Sequence, residues 1–355
     1  MIKKITVITS ARLNSEVHTR AVFFASAFQA NGVSVSFIKS TGLPIYLSFF
    51  ISIFRFFRLM ISPKTVMAFN PGKGLMFALS IKKIFGGKII SDIWDVRKLF
   101  YKRNSTALSI IKKSWKITYP NENVLRLIRS FYKDAELEKF ILLPTGANGF
   151  EILASEYGIS KMKHSRGLPE IDIKDSYKKF ILYAGDLIDL KDIDEILICF
   201  SIISDRADDV KFVLVGGGDR KSLLYLKDAI KKLDLQHKTE ITGYLYPLDT
   251  ALWIKKADVM VDYMGNEKIS LLKERLFLPE SLSLEKPIAC SDGGSLSRFA
   301  DYTYQRPCDN VEIVNAIVKV AIEGKDGREK EGKAYLEENL NYRNIAAQFL
   351  KEISG

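Results

Sequence analysis

Short apolar runs that close on small or polar residues alternate with longer stretches of helical periodicity along nearly the whole chain. Residues 3–9 (KKITVIT) read as a strand, 17–30 as a helix stopped by Asn31-Gly32, and 33–38 (VSVSFI) as a second strand. Successive strands joined by a helix must run the same way, so this order predicts parallel sheets covered by helices on both faces. Strands near 65–69, 88–93, 116–119 and 139–143 and helices at 74–84, 105–113 and 122–131 continue the series. Residues 150–178 break it: they carry no long apolar run, include Gly158, Gly167 and Pro169, and read as a linker. The rhythm restarts with strands at 179–184, 210–215, 238–242, 258–262 and 287–290. Helices at 192–204, 219–233, 248–255, 276–284, 310–323 and 342–353 accompany them. The predicted division is a first domain over 1–160, a linker over 161–178, a second domain over 179–335 and a terminal segment over 336–355. An α/β class with two doubly wound domains follows.

Composition narrows the class further. Of 355 residues, 47% are hydrophobic and 27% charged, an ordinary globular mix that excludes a disordered or collagen-like chain. The net charge of +11 is uneven. Residues 1–170 hold 26 Lys/Arg against 10 Asp/Glu, and the first 130 contain four acids: Glu16, Asp92, Asp95 and Glu122. A basic first half points to an anionic partner, either nucleic acid or an anionic membrane surface. Nucleic acid rests on charge alone, because no recognition helix, zinc spacing or aromatic RNA motif accompanies it. The opening residues are too short for a signal peptide and no apolar run is long enough to span a bilayer. Residues 46–61 (YLSFFISIFRFFRLMI) instead suit a helix lying in a bilayer interface, with a core-facing helix as the alternative. Cys199, Cys290 and Cys308 are unclustered, which fits a reducing compartment and offers no zinc spacing.

Three segments carry candidate chemistry. Gly216, Gly217 and Gly218 end a strand just before a helix, where glycine admits a phosphate to the backbone and the helix N-terminus offers N–H groups. Pro279 and Glu280 mark the start of a helix, with Ser281 and Leu282 in its first turn. Glu280 is a candidate acceptor for sugar hydroxyls, or simply complements the helix dipole. Asp92 and Asp95 lie at the carboxyl end of the strand 88–93, the edge where open α/β sheets bind ligands. Asp95 is a candidate orienting group or base, with a helix N-cap as the rival role. His18 sits in the analogous region after the first strand.

In order, these pieces resemble the GT-B glycosyltransferases, and among them the retaining family 4 (group 1). Ala184-Gly185-Asp186-Leu187 and then Lys191-Asp192 stand where that family has a strand, Gly-Arg-Leu and Lys-Gly. Val215-Gly216-Gly217-Gly218 resembles its Val-Gly-x-Gly, Ile241-Thr242-Gly243-Tyr244 its glycine–aromatic turn, and Ala257-Asp258-Val259 its Ala-Asp-Val. Residues 280–289 (ESLSLEKPIA) resemble its Glu-Ala-Met-Ala-x-Gly-x-Pro-Val-Val. The resemblance implies two Rossmann-like domains facing a cleft, with a last helix crossing back to the first domain. It implies hexosyl transfer with retention from a UDP- or GDP-linked sugar bound by the second domain, with no cofactor and no metal. The acceptor, lipid-linked or glycan, would be bound by the basic first domain at the cytoplasmic face of a membrane. The implied donor residues are Gly185, Lys191, Gly216, Gly217, Gly218, Gly243, Tyr244, Glu267, Arg275, Ser281 and Leu282. The candidate catalytic residues are Asp95, Glu280 and His18.

The chain departs from the family pattern at several positions. Asp186 replaces an arginine, Leu272 stands at the first glutamate of Glu-x7-Glu, and Trp94 takes a histidine position. Glu267 meets the glutamate motif only with an insertion, and Lys268, Lys273 and Arg275 are candidate substitutes for the arginine. These departures keep two other functions open: a catalytically altered GT-B protein acting as a binding module, and a nucleotide-sugar epimerase on the same fold.

Overall fold

The computed structural model describes residues 2–9, 11, 14–38, 57–94, 105–132, 136–161, 179–265, 270–323 and 326–354. They form two compact units, Met1–Thr145 with Tyr342–Gly355, and Gly146–Asn341. The first unit holds a six-stranded sheet in the order β2-β1-β3-β4-β5-β6, every pair parallel. Its strands are β1 (Lys4–Thr9), β2 (Ser34–Ile38), β3 (Thr65–Phe69), β4 (Lys88–Asp92), β5 (Lys116–Tyr119) and β6 (Phe140–Leu142). Strands β3 and β1 are buried along nearly their whole length, as expected of a parallel sheet covered on both faces. The helix Tyr342–Glu352 belongs to this unit and packs on the helix Glu16–Ala30. Tyr342 meets Phe24 edge-on at 5.0 Å and Phe349 stacks on Phe28 at 6.0 Å.

The second unit repeats the design with the order β12-β11-β10-β7-β8-β9. Its strands are β7 (Lys179–Ala184), β8 (Val210–Val215), β9 (Thr239–Gly243), β10 (Val259–Asp262), β11 (Ile288–Ser291) and β12 (Tyr304–Arg306). The chain leaves β7 toward β8 on one side and returns to β10 on the other. The crevice outside the carboxyl ends of β7 and β10 is therefore the switch point where such sheets bind ligands. In the first unit the equivalent point lies between β1 and β3.

Two α-helices and one strand were not predicted from periodicity. The helix Gly149–Lys161 falls across the expected first domain and linker, yet it belongs to the second unit. Gly158 in its interior weakens the helical signal by about 1 kcal/mol relative to alanine, and tertiary contacts supply what propensity lacks. Phe150 stacks on Phe277 at 6.2 Å within that unit. The helix Arg328–Asn339 buries only a narrow seam of Glu329, Gly332 and Leu336, too sparse for an amphipathic pattern. Strand β12 is three residues long and pairs on one side only. Residues 162–178 of the expected linker lie outside the described residues, as do residues 46–56 of the expected interfacial helix.

Candidate functional site at the carboxyl edge of the second sheet

The loops leaving β7, β8, β9, β10 and β11 emerge along one edge of the second sheet and bring together most of the expected donor residues. The first two are stitched together by backbone. The Gly185 N–H donates to the Val215 carbonyl (3.0 Å) and the Leu187 N–H to the Gly217 carbonyl (2.9 Å). Gly216 sits at φ 148°, where any side chain would collide with the Gly185 carbonyl. A Cβ on Gly217 would lie 2.5 Å from the Tyr244 ring. These two glycines therefore serve close packing of backbone and tyrosine within the protein, a role the sequence did not separate from a phosphate cradle. Gly243, at φ 74°, bridges to Gly216 from β9.

At the switch point stands a buried ion network. Lys273 Nζ contacts Asp189 Oδ2 (2.5 Å) and Asp192 Oδ2 (2.8 Å). Arg275 Nη2 donates to Asp192 Oδ2 (3.1 Å) and to the Tyr263 carbonyl (2.8 Å), and its Nε donates to Asp262 Oδ1 (3.0 Å). Arg275 thus joins the end of β10 to the start of the helix Leu190–Ser204. Burial pushes the Asp262 carboxyl up to about 6, against the pull of the neighbouring guanidinium. The expectation that Arg275 reaches out to a diphosphate needs correction, because its side chain is 7% exposed and paired with two carboxylates. Lys191, in the first turn of the helix Leu190–Ser204, is exposed at the same edge. Asp186, in the loop after β7, is half-buried. Sequence reasoning missed Asp189 and Asp262. The available signal was an aspartate closing an otherwise apolar strand, Val259–Asp262.

Glu280 also differs from its expected role. The helix begins at Phe277, two residues before Pro279, and is seven residues long. Glu280 is fully buried and its two oxygens accept the N–H groups of Gly149 (2.8 Å) and Phe150 (3.3 Å). It satisfies orphan donors in the first turn of the helix Gly149–Lys161, so its carboxyl is not an open acceptor for sugar hydroxyls. Burial raises that carboxyl to about 8, with the two N–H groups pulling the other way. Ser281 and Leu282 are buried as well, and the Ser281 hydroxyl donates to the Phe277 carbonyl (2.7 Å). Leu272, at the family's first glutamate position, is buried, and neighbouring Glu274 pairs with Arg298 at 3.0 Å. Glu267 lies outside the described residues.

In the first unit the carboxyl edge is built around Arg20 and Asp92, both fully buried. Arg20 Nε and Nη2 donate to the two Asp92 oxygens at 3.1 and 3.2 Å, and Nη2 also donates to the Leu143 carbonyl at 2.7 Å. The Thr118 hydroxyl donates to Asp92 Oδ1 (2.6 Å). Trp94 is buried: its N–H donates to Asn70 Oδ1 (2.8 Å) and its indole N–H to the Thr145 hydroxyl (3.1 Å). His18 is buried in the first turn of the helix Glu16–Ala30, edge-on to Phe37 at 5.9 Å, rather than open at the edge. Asp95 lies outside the described residues. Among the described residues, no three or more His, Cys, Asp or Glu side chains form a group that could hold a metal ion.

Comparison with known proteins follows the same edge. The model of the family described as Glycosyl transferases group 1 matches residues 168–301. The chain is 29% identical over 148 residues to the alpha-monoglucosyldiacylglycerol synthase of Streptococcus pneumoniae, a match covering 42% of this chain. That match spans about a third of the relative's length, 32%. Among solved structures, an Anabaena HepE complex with UDP and glucose aligns with a TM-score of 0.69 at 10% identity over 99% of both chains. Sucrose-phosphate synthase from Thermosynechococcus elongatus aligns at 0.67, with 14% identity over 99% of this chain and 98% of that one. WaaG, a glycosyltransferase involved in lipopolysaccharide biosynthesis, aligns at 0.63, with 14% identity over 99% and 100%. The chain has the GT-B fold of two parallel α/β units, and its residues 168–301 match the model of the group 1 glycosyl transferases.

Proposed function

We propose that the protein transfers a hexosyl group, with retention, from a UDP- or GDP-linked sugar to a lipid-linked or glycan acceptor at the cytoplasmic face of a membrane. The observation that carries this reading is the coincidence of the group 1 match with the loops at the switch point of the second sheet. The UDP-glucose complex of the HepE neighbour supports a nucleotide-sugar donor. The name of the Streptococcus relative supports a glycerolipid acceptor. Among the described residues no helix is long and apolar enough to cross a membrane, so the contact proposed is peripheral.

In this reading Lys191 supplies the charge-assisted contact to the donor diphosphate, with the backbone of Gly216–Gly218 beside it. Glu280 and Arg275 are positioning residues that hold the surrounding backbone. The reaction uses no bound cofactor or metal, and a chelator should leave turnover unchanged. Incubation with a panel of UDP- and GDP-sugars, with and without a diacylglycerol glycolipid, should release nucleoside diphosphate for one donor and more of it with acceptor. The anomeric configuration of the product then reports retention. No release with any donor would overturn the assignment.

A further inference from the structure

The first unit carries a second feature, at the end of its sheet opposite the ligand edge. Strands β3, β4 and β5 lie side by side, and the segments leading into them are tied together. Lys82 Nζ donates to the Met60 (2.9 Å) and Ser62 (2.7 Å) carbonyls, holding the chain before β3 against the helix Lys73–Ile84. The Lys88 N–H donates to the Lys64 carbonyl at 2.8 Å, and the Trp115 N–H to the Ile89 carbonyl at 2.7 Å. The side chains at these strand starts share two properties. Ile61, Ile84 and Phe85 are 85, 80 and 71% exposed. Lys64, Lys83, Lys88, Lys112 and Lys113, all exposed, lie at or next to the same strand starts, with the Lys88 ammonium over the Trp115 ring at 4.3 Å.

The charge here has one sign. Among the described residues of 57–94 and 105–121, Asp92 is the single acid, and it is buried on Arg20 at the other end of the sheet. The next described carboxylates along the chain are Glu122, which accepts from the Tyr119 hydroxyl at the carboxyl end of β5, and Glu136 and Glu138 just before β6. Exposed aliphatic and aromatic groups rimmed by lysines match an interface with negative headgroups above and acyl chains below. Lysine stems reach along an apolar surface while keeping the ammonium in the headgroup layer. A nucleic acid would call instead for the planar forks of arginine, and beside the five lysines the described residues here supply one exposed arginine, Arg58, a turn before Ile61.

We infer that the amino-terminal edge of this sheet, around Ile61, Ile84 and Phe85, docks on an anionic lipid bilayer. The inference rests on the membrane part of the proposed function and names the surface responsible. Docking there leaves the carboxyl edge of the same sheet uncovered.

The test is sedimentation of the full chain with vesicles of phosphatidylcholine alone or mixed with phosphatidylglycerol. Binding is expected only to the mixed vesicles, and should weaken at high salt as the Debye length shortens from about 10 Å at 0.1 M to about 3 Å at 1 M. The double variant Ile84→Ser, Phe85→Ser should bind more than tenfold more weakly, with circular dichroism and thermal melting unchanged because both side chains face solvent. The triple variant K83E/K112E/K113E should lose binding to the mixed vesicles. Parental binding by the apolar variant would take Ile84 and Phe85 off the docking surface and overturn the inference. Failure of the parent to bind mixed vesicles would also overturn it. Nucleoside diphosphate release from a nucleotide sugar, measured without lipid, is expected to be equal in all variants. Vesicle binding without any such release would therefore sink the transferase reading and leave this surface standing.

Discussion

The carboxyl edges of the two sheets solve the same problem differently. Both bury charge where open α/β folds normally receive ligand. In the first unit one arginine meets one aspartate: Arg20 also donates to two backbone carbonyls, and Asp92 also accepts from Thr118. That edge is electrically balanced, fully buried and knitted across β4, β5 and the chain after β6. In the second unit two cations face three carboxylates, and Asp189 is 20% exposed at the border of the network. Exposed Lys191 lies next to it in sequence space, at the start of the same helix. A closed, balanced pair is a structural joint. A network with an unequal count and an exposed border remains responsive to an incoming charge, and this difference favours the second sheet as the one that would meet the proposed nucleotide-sugar donor.

The largest expected effect comes from breaking the balanced joint. Asp92→Ala leaves a buried guanidinium without its counter-charge, and removing one partner of such a pair costs about 3–5 kcal/mol. Urea denaturation should show that loss, and a midpoint like the parent's would dissolve the contrast drawn above. Next comes Glu280→Ala, which strips the acceptors from two buried N–H groups at about 1–3 kcal/mol each. Stability and turnover should fall together; loss of turnover at parental stability would restore Glu280 to a direct role on the donor.

The same residue has a pH signature. Its carboxyl is held at about 8 in the fold against 4.5 ordinarily, so the folded state binds the extra proton between those values. The stability it contributes is full below about pH 4.5 and is lost as pH rises through about 8. Denaturation midpoints should therefore decline over that window in the parent and decline less in Glu280→Gln.

Lys191→Ala tests the responsive side. Deleting a charge-assisted contact worth about 1.5–3 kcal/mol should weaken nucleoside diphosphate binding by more than tenfold, read by calorimetry, with unfolding unchanged. The smallest effect belongs to Asp189→Asn. Its pairing is partly exposed, so stability should move by about 1 kcal/mol or less. Diphosphate affinity should rise as the network loses its surplus negative charge, and a fall would reverse the assignment of that border.

The group 1 resemblance was legible because its pieces are local. Gly185, Gly216, Gly217 and Pro287 each report on a turn or strand end within a few residues of themselves. The roles of those residues were less legible. The glycines admit backbone and the Tyr244 ring, and Trp94 takes its place through Thr145, 51 residues away. Arg275 looked like a free cation because Asp192, its partner, is 83 residues distant.

Taken by itself, the sequence determined the parallel α/β layering, the two successive units and the class of site. Strand and helix periodicities repeat over short spans, and βαβ handedness converts their order into topology. Only the tertiary structure decided which charges are spent inside the protein. Arg20 and Asp92 are 72 residues apart, and Glu280 and Gly149 are 131 apart. Buried ions need partners within about 3 Å, and nothing in local periodicity encodes which distant residue arrives there. The same limit explains the exposed rim of Ile61, Ile84 and Phe85. An apolar residue in a helix reads as core until the packing shows it exposed among the described residues.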